Sequence, residues 1–158
     1  MPSSRVLEKL YTGNYEFRVD DTSLLRFKAM AERIICRLKQ MQPSGKTLLD
    51  IGAGYGTFVK VAVSLGLDAI GIEPANNLFK SASSRAKIKI IHMDLDKFVK
   101  STKTSYDFIS AIHVIEHMKN PENFLTTTLN ILKPGGVLYI ETPNSSSHLT
   151  VIEKEDYT

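Results

Sequence analysis

The chain has 158 residues, 42% of them hydrophobic and 23% charged, which suits one globular domain with a core of its own. Lys and Arg total 20 against 17 Asp and Glu, and the resulting +3 is spread along the chain, so no basic stripe marks a nucleic-acid surface. The single cysteine, Cys36, excludes an internal disulfide and a multi-cysteine zinc site and reads as a small core residue in a reducing compartment.

In chain order, Leu24, Phe27, Met30, Ile34, Leu38 and Met41 recur at three- and four-residue steps and predict an amphipathic helix over 22–41, broken by Pro43, Ser44 and Gly45. Thr47 to Ile51 is a short apolar strand, and Phe58 to Leu65 a helix ending at Gly66. The alternation continues with a strand at 68–72, a helix at 75–85, a strand at 87–91, a loop over His92 to Asp96 and a strand at 106–112. Asn120 and Pro121 are the N-cap and first residue of a helix through Leu132. Lys133, Pro134, Gly135 and Gly136 then turn into a fifth strand at 137–142. Strands separated by helices predict an α/β fold with a doubly wound, mostly parallel sheet. The N-terminus has no signal-peptide core and no apolar run approaches the roughly 18 residues of a membrane span, so the expectation is a cytoplasmic protein with no membrane partner.

Between the first strand and its helix lies LLDIGAGYGTF, residues 48–58, with an aspartate and three glycines at alternate positions. In sheets of this kind ligands bind beyond the carboxyl ends of the strands. Glycines there let a ligand lie against bare backbone, and the helix N-terminus offers free N–H groups. A ribose needs a carboxylate at the end of the second strand, and Glu73 stands there, 21 residues beyond Gly52. The dinucleotide pattern GxGxxG would need glycine at Thr57, so an NAD-dependent oxidoreductase ranks third among the readings.

The pattern DxGxGxG resembles motif I of the class I S-adenosylmethionine-dependent methyltransferases, and the resemblance extends over about 46–144. It implies a Rossmann-like methyltransferase fold with S-adenosylmethionine as cofactor. Asp50, Gly52, Ala53, Gly54 and Gly56 would wrap the methionine moiety, Glu73 and Pro74 would meet the ribose, and Asp94 with Leu95 would meet the adenine. YDFISAIHVIEHMKNPENFL is similar to the family's fourth strand and the loop flooring the cofactor site, which places His113 there, and LKPGGVLYIETPN to the segment through strand five. The implied organisation is a lid segment and helix at 1–45, a cofactor-binding core at 46–144 and a tail at 145–158. In LYTGNYEFR, residues 10–18, Tyr11, Tyr15 and Arg18 either contact cofactor and acceptor or pack the first helix on the sheet. Family members complete the sheet with strands six and seven, which this chain is expected to lack, leaving strand five as an edge prone to self-association. The acceptor, small molecule or macromolecule, is not specified by these residues.

A sulfonium methyl is already activated, so the protein's task is to align the nucleophile and exclude water. A hydroxyl acceptor profits from a base, and HVIEH at 113–117 is where one is sought. As HxxEH it matches a zinc-peptidase pattern, but it follows a strand instead of lying on a helix. Similar methyltransferases, including the ubiquinone-pathway O-methyltransferases and small-RNA 2′-O-methyltransferases, carry ExxEH here and bind a divalent metal. This chain has His113 in place of their first glutamate, so no metal is expected. His117, with His113, is a candidate base; the alternative is that Glu116 and His117 only order the loop. His92 and His148 read as solvated loop residues. The reading from a different class is a cofactor-binding module or inactive partner subunit, separable from an enzyme by turnover.

Overall fold

The computed structural model describes residues 21–85 and 88–144. Helix α1 (Asp21–Met41) leads into strand β1 (Thr47–Ile51), and α2 (Thr57–Ser64), β2 (Asp68–Ile72), α3 (Asn76–Arg85) and β3 (Lys89–Ile91) follow. Then come α4 (Leu95–Ser101), β4 (Tyr106–Ile112), a 3₁₀ turn (Ile115–His117), α5 (Pro121–Leu129) and β5 (Leu132–Glu141). The strands form one parallel sheet in the order β3-β2-β1-β4-β5. The chain reverses direction across the sheet between β1 and β4, so their carboxyl ends mark the switch point.

Because successive residues of a strand point to opposite faces, the sheet carries two cores. Leu48 and Phe108 join Ala31, Ile34, Ile35 and Leu38 of α1 and Phe58, Val59 and Ala62 of α2. Leu49, Ile51, Ile109 and Ala111 join Phe98 of α4 and Phe124 of α5. Beneath the sheet, at the amino ends of β1 and β4, Asp107 ties the strands together. Its Oδ2 accepts from Lys46 N (3.0 Å), Thr47 N (2.9 Å) and Thr47 Oγ1 (2.7 Å), and Lys133 Nζ lies 3.1 Å from both carboxylate oxygens. Burial alone would raise the Asp107 pKa, but these donors outweigh it and hold the carboxyl well below the usual range.

The structure corrects four expectations. Residues 95–101, which overlap the end of the loop expected over His92 to Asp96, form α4, with Asp94 as N-cap accepting from Lys97 N at 2.9 Å. Seven residues are too few for a clear helical period, although an aspartate cap was there to be read. Helix α5 stops at Leu129 instead of Leu132, and β5 starts at Leu132 instead of Val137. Tyr106 pairs with Leu132 and Phe108 with Val137, so Lys133 to Gly136 form a bulge in which Pro134 has no ladder bond to give and Gly135 takes φ 75°. Cys36 is exposed, because the buried stripe of α1 runs through Ala31, Ile34, Ile35 and Leu38 and misses it. The N-cap of α5 is as expected, with Asn120 Oδ1 accepting from Asn123 N at 3.0 Å.

Candidate cofactor site

At the carboxyl edge of the sheet the three turn glycines all have left-handed backbones, with φ of 71° at Gly52, 53° at Gly54 and 74° at Gly56. The reasons for glycine differ. A Cβ on Gly52 would sit 2.6 Å from Val114 Cγ2, and one on Gly56 would strike Ile88 Cδ1. Those two positions serve the fold's own packing. A Cβ on Gly54 would meet nothing within 4 Å. Gly54 is therefore the point of the turn at which backbone faces open space, and it is where a ligand has room to lie. Gly71 in β2 makes room for the turn from below, since a Cβ there would stand 2.5 Å from Ala53 Cβ.

Glu73, just past β2, is 3% exposed and anchors the turn. Its Oε2 accepts from Gly54 N and its Oε1 from Ala75 N, each at 2.7 Å. Burial raises the Glu73 pKa; the two N–H donors and nearby His92 offset part of that rise. Ile72 O accepts from both Gly52 N (2.9 Å) and Ala53 N (3.0 Å), which fixes where the turn leaves the sheet. Asp50 lies under the turn, 4% exposed, and its Oδ1 accepts from Ser110 Oγ at 2.7 Å. Its pKa is pushed up to about 7: burial raises it most, the Ser110 bond lowers it, and the Glu73 charge raises it further.

Asp94 stands at the same sheet edge after β3, where it caps α4 and pairs with Lys97 Nζ at 2.7 Å. Burial opposes its ionisation, but the Lys97 side chain and N–H outweigh that and lower the pKa. Leu95 and Pro74 flank these acids as the first residue of α4 and the residue after Glu73. His92, read as a solvated loop residue, is exposed but engaged: Nε2 is 3.0 Å from Pro74 O, and the ring stacks on Phe79 at 5.0 Å.

On the other side of the turn, His113 is the one non-glycine residue with positive φ (55°) among the described residues. Its N–H donates to Glu141 O at 2.8 Å, which holds the exit of β4 against β5. The ring lies between two carboxylates, with Nδ1 3.5 Å from Glu116 Oε1 and Nε2 3.9 Å from Glu141 Oε1. Tyr139 OH donates to Glu141 Oε2 at 2.6 Å, and burial together with that carboxylate pushes the Tyr139 pKa up to about 12. His117 is exposed at the end of the 3₁₀ turn. No group of three His, Cys, Asp or Glu among the described residues is arranged to hold a metal ion.

The structure thus gathers Gly52, Ala53, Gly54 and Gly56 in one turn, with Asp50 beneath it, Glu73 bonded to it and Val114 of the HVIEH loop packed on it. Tyr11, Tyr15, Arg18 and His148 lie outside the described residues. Sequence reasoning missed Ser110, Tyr139 and Glu141. Glu141 was open to discovery, because it ends a predicted strand at the ligand-binding edge of the sheet; Ser110 gave no signal beyond its place in an apolar strand.

Comparison with known proteins bears on what this edge is for. The ubiquinone biosynthesis O-methyltransferase of human mitochondria is 29% identical over 134 residues, a match covering 77% of this chain and 36% of that protein. The protein of that name from Maricaulis maris is 29% identical over 108 residues, covering 65% and 42%. The chain thus matches less than half the length of these curated relatives. Among solved structures, the plantazolicin methyltransferase BpumL in complex with SAH superposes with a TM-score of 0.71 at 22% identity, covering 96% of this chain and 58% of that one. A SAM-dependent methyltransferase from Archaeoglobus fulgidus gives 0.59 at 26% identity, covering 84% and 63%. The sheet and its flanking helices are those of a Rossmann-like methyltransferase fold. Residues 25–156 match the family model described as a methyltransferase domain, and the chain belongs to that family.

Proposed function

We propose that this chain binds S-adenosylmethionine at the carboxyl edge of its sheet and catalyses transfer of the methyl group to an acceptor. The observation that carries the reading is Gly54, whose left-handed backbone faces open space while its N–H is held by Glu73. The cradle fits this cofactor better than a dinucleotide, because Thr57 opens α2 where a pyrophosphate pattern needs glycine. Within the cradle, Asp50, Gly52, Ala53, Gly54 and Gly56 would hold the methionine part, Glu73 and Pro74 the ribose, and Asp94, Leu95 and His113 the remaining walls.

When bound, S-adenosylmethionine would supply an activated methyl group, the electron pair of the broken C–S bond staying on sulfur. The residues do the rest. Turn and HVIEH loop exclude water and fix the direction of attack. An acceptor hydroxyl has to lose a proton, and His113 is better placed than His117 to take it, since its ring is held between the Glu116 and Glu141 carboxylates. Tyr139 holds Glu141 in place for that role. The described residues contain no helix long and apolar enough to cross a membrane. A cytoplasmic location is the reading of the sequence, the human relative is named as mitochondrial, and fractionation is the deciding measurement.

The test is single-turnover methylation with labelled cofactor across hydroxyl, amine and carboxyl acceptors. Transfer to one class supports the enzyme; tight cofactor binding with transfer to none supports a binding module.

A further inference from the structure

The β2–β3 ladder ends where Glu73 N donates to Ile91 O at 3.0 Å. One residue further along each strand, the backbones no longer pair, and a side chain continues the pairing. His92 Nε2 lies 3.0 Å from Pro74 O. A carbonyl oxygen only accepts, so Nε2 carries the hydrogen and donates it. The ring is held flat by Phe79 of α3, with centroids 5.0 Å apart and planes 11° apart. Phe79 is itself placed by its N–H bond to Ala75 O at 2.9 Å. Every part of the 73–75 loop is thereby fixed: the Glu73 carboxylate by Gly54 N and Ala75 N, and the Pro74 carbonyl by His92. Asp94 follows His92 by two residues and is fixed by its own cap on α4.

We infer that His92 is a positioning residue for the adenosine end of the cofactor, setting the span between Glu73 after β2 and Asp94 after β3 by clamping the Pro74 carbonyl to the exit of β3. This rests on the cofactor reading above and adds to it a residue that touches neither ligand acid. A ribose hydroxyl and an adenine amino group stand a fixed distance apart in the ligand, so two acids that recognise them must keep a fixed distance in the protein. A loosened span degrades recognition of the adenine edge more than it degrades folding.

The experiment compares the parent chain with His92→Phe, which keeps the stack on Phe79 without the donor, and with His92→Gln, which keeps an N–H donor without the ring. Calorimetry measures affinity for S-adenosylhomocysteine and for its 6-oxo analogue S-inosylhomocysteine, which lacks the adenine amino group. In His92→Phe the preference for the amino form is expected to fall about fivefold, the scale of one lost hydrogen bond. The unfolding midpoint without ligand should stay near the parent's, and His92→Gln should recover part of the preference. An undiminished preference in His92→Phe overturns the inference, as does a loss of midpoint with the preference intact, which would make His92 structural only. If the parent chain binds neither ligand, the cofactor reading fails instead, and the two failures are told apart by that control.

Discussion

Asp50 offers a quantitative test of how the turn is built. Its carboxyl is buried beside Glu73 with one hydroxyl donor, Ser110 Oγ, and its pKa rises from 3.8 to about 7. The sign follows from linkage: an acid whose pKa is higher folded than unfolded holds its proton more firmly in the folded state. Stability is therefore fully retained below the unfolded value and is lost as pH rises toward the folded one. At about 1.4 kcal/mol for each pH unit, the complete penalty is of order 4 kcal/mol above neutrality. Asp50→Asn removes the charge and keeps an oxygen for Ser110. Urea unfolding of both chains across about pH 5 to pH 8 should show the variant gaining on the parent by roughly 3 kcal/mol, since the titrations of groups not coupled to Asp50 cancel in the difference and Glu73 is the one coupled neighbour named above. Any fixed cost of the new amide shifts the whole curve without changing its slope. A stability difference independent of pH would refute the reasoning. Cofactor affinity should fall in the same variant, the stability–activity trade-off expected of a buried acid kept for function.

Removing the Asp107 carboxylate leaves Lys46 N and Thr47 N without their acceptor, so Asp107→Ala should cost about 3–5 kcal/mol in chemical denaturation. Because the Asp107 pKa is lowered, its contribution is present above about pH 4 and fades as pH falls further, so the parent and variant curves should converge in acid. At Gly54, where φ is 53° and space is open, alanine should cost only about 1 kcal/mol of stability, while leucine should abolish cofactor binding by calorimetry. His113→Ala should slow transfer to a hydroxyl acceptor more than His117→Ala does, and His117→Ala should leave cofactor affinity within a few-fold; stoichiometric metal in the parent, lost in His117→Ala by elemental analysis, would overturn the metal-free reading. β5 is an edge of the described sheet, and sedimentation should detect self-association that a charged substitution at Val137 weakens.

The sequence carried the fold wherever one signal sufficed. Apolar runs with glycine and proline boundaries located β1, β2 and β4 to the residue, because buried parallel strands are short and nearly continuous in apolar character. α4 and the first half of β5 escaped because they depend on partners remote in sequence: seven residues packing Phe98 beneath the sheet, and a bulge that pairs Leu132 with Tyr106. Within the site, DxGxGxG identified the turn but not the division of labour among its glycines. That division needs the positions of Val114 and Ile88, which no spacing rule supplies. His92 illustrates the same limit, since an exposed histidine after a strand looks solvated until Phe79 and the Pro74 carbonyl are seen beside it.

The most direct test of the central claim is titration calorimetry of the parent chain with S-adenosylhomocysteine and, separately, with NAD. The turn built on Gly54, closed by Glu73 and lacking a glycine at Thr57, predicts saturable one-to-one binding of the first and none of the second. At a hundredfold excess over the dissociation constant, the first should also stabilise the fold by about 2.7 kcal/mol. Binding of NAD without binding of S-adenosylhomocysteine would contradict the account.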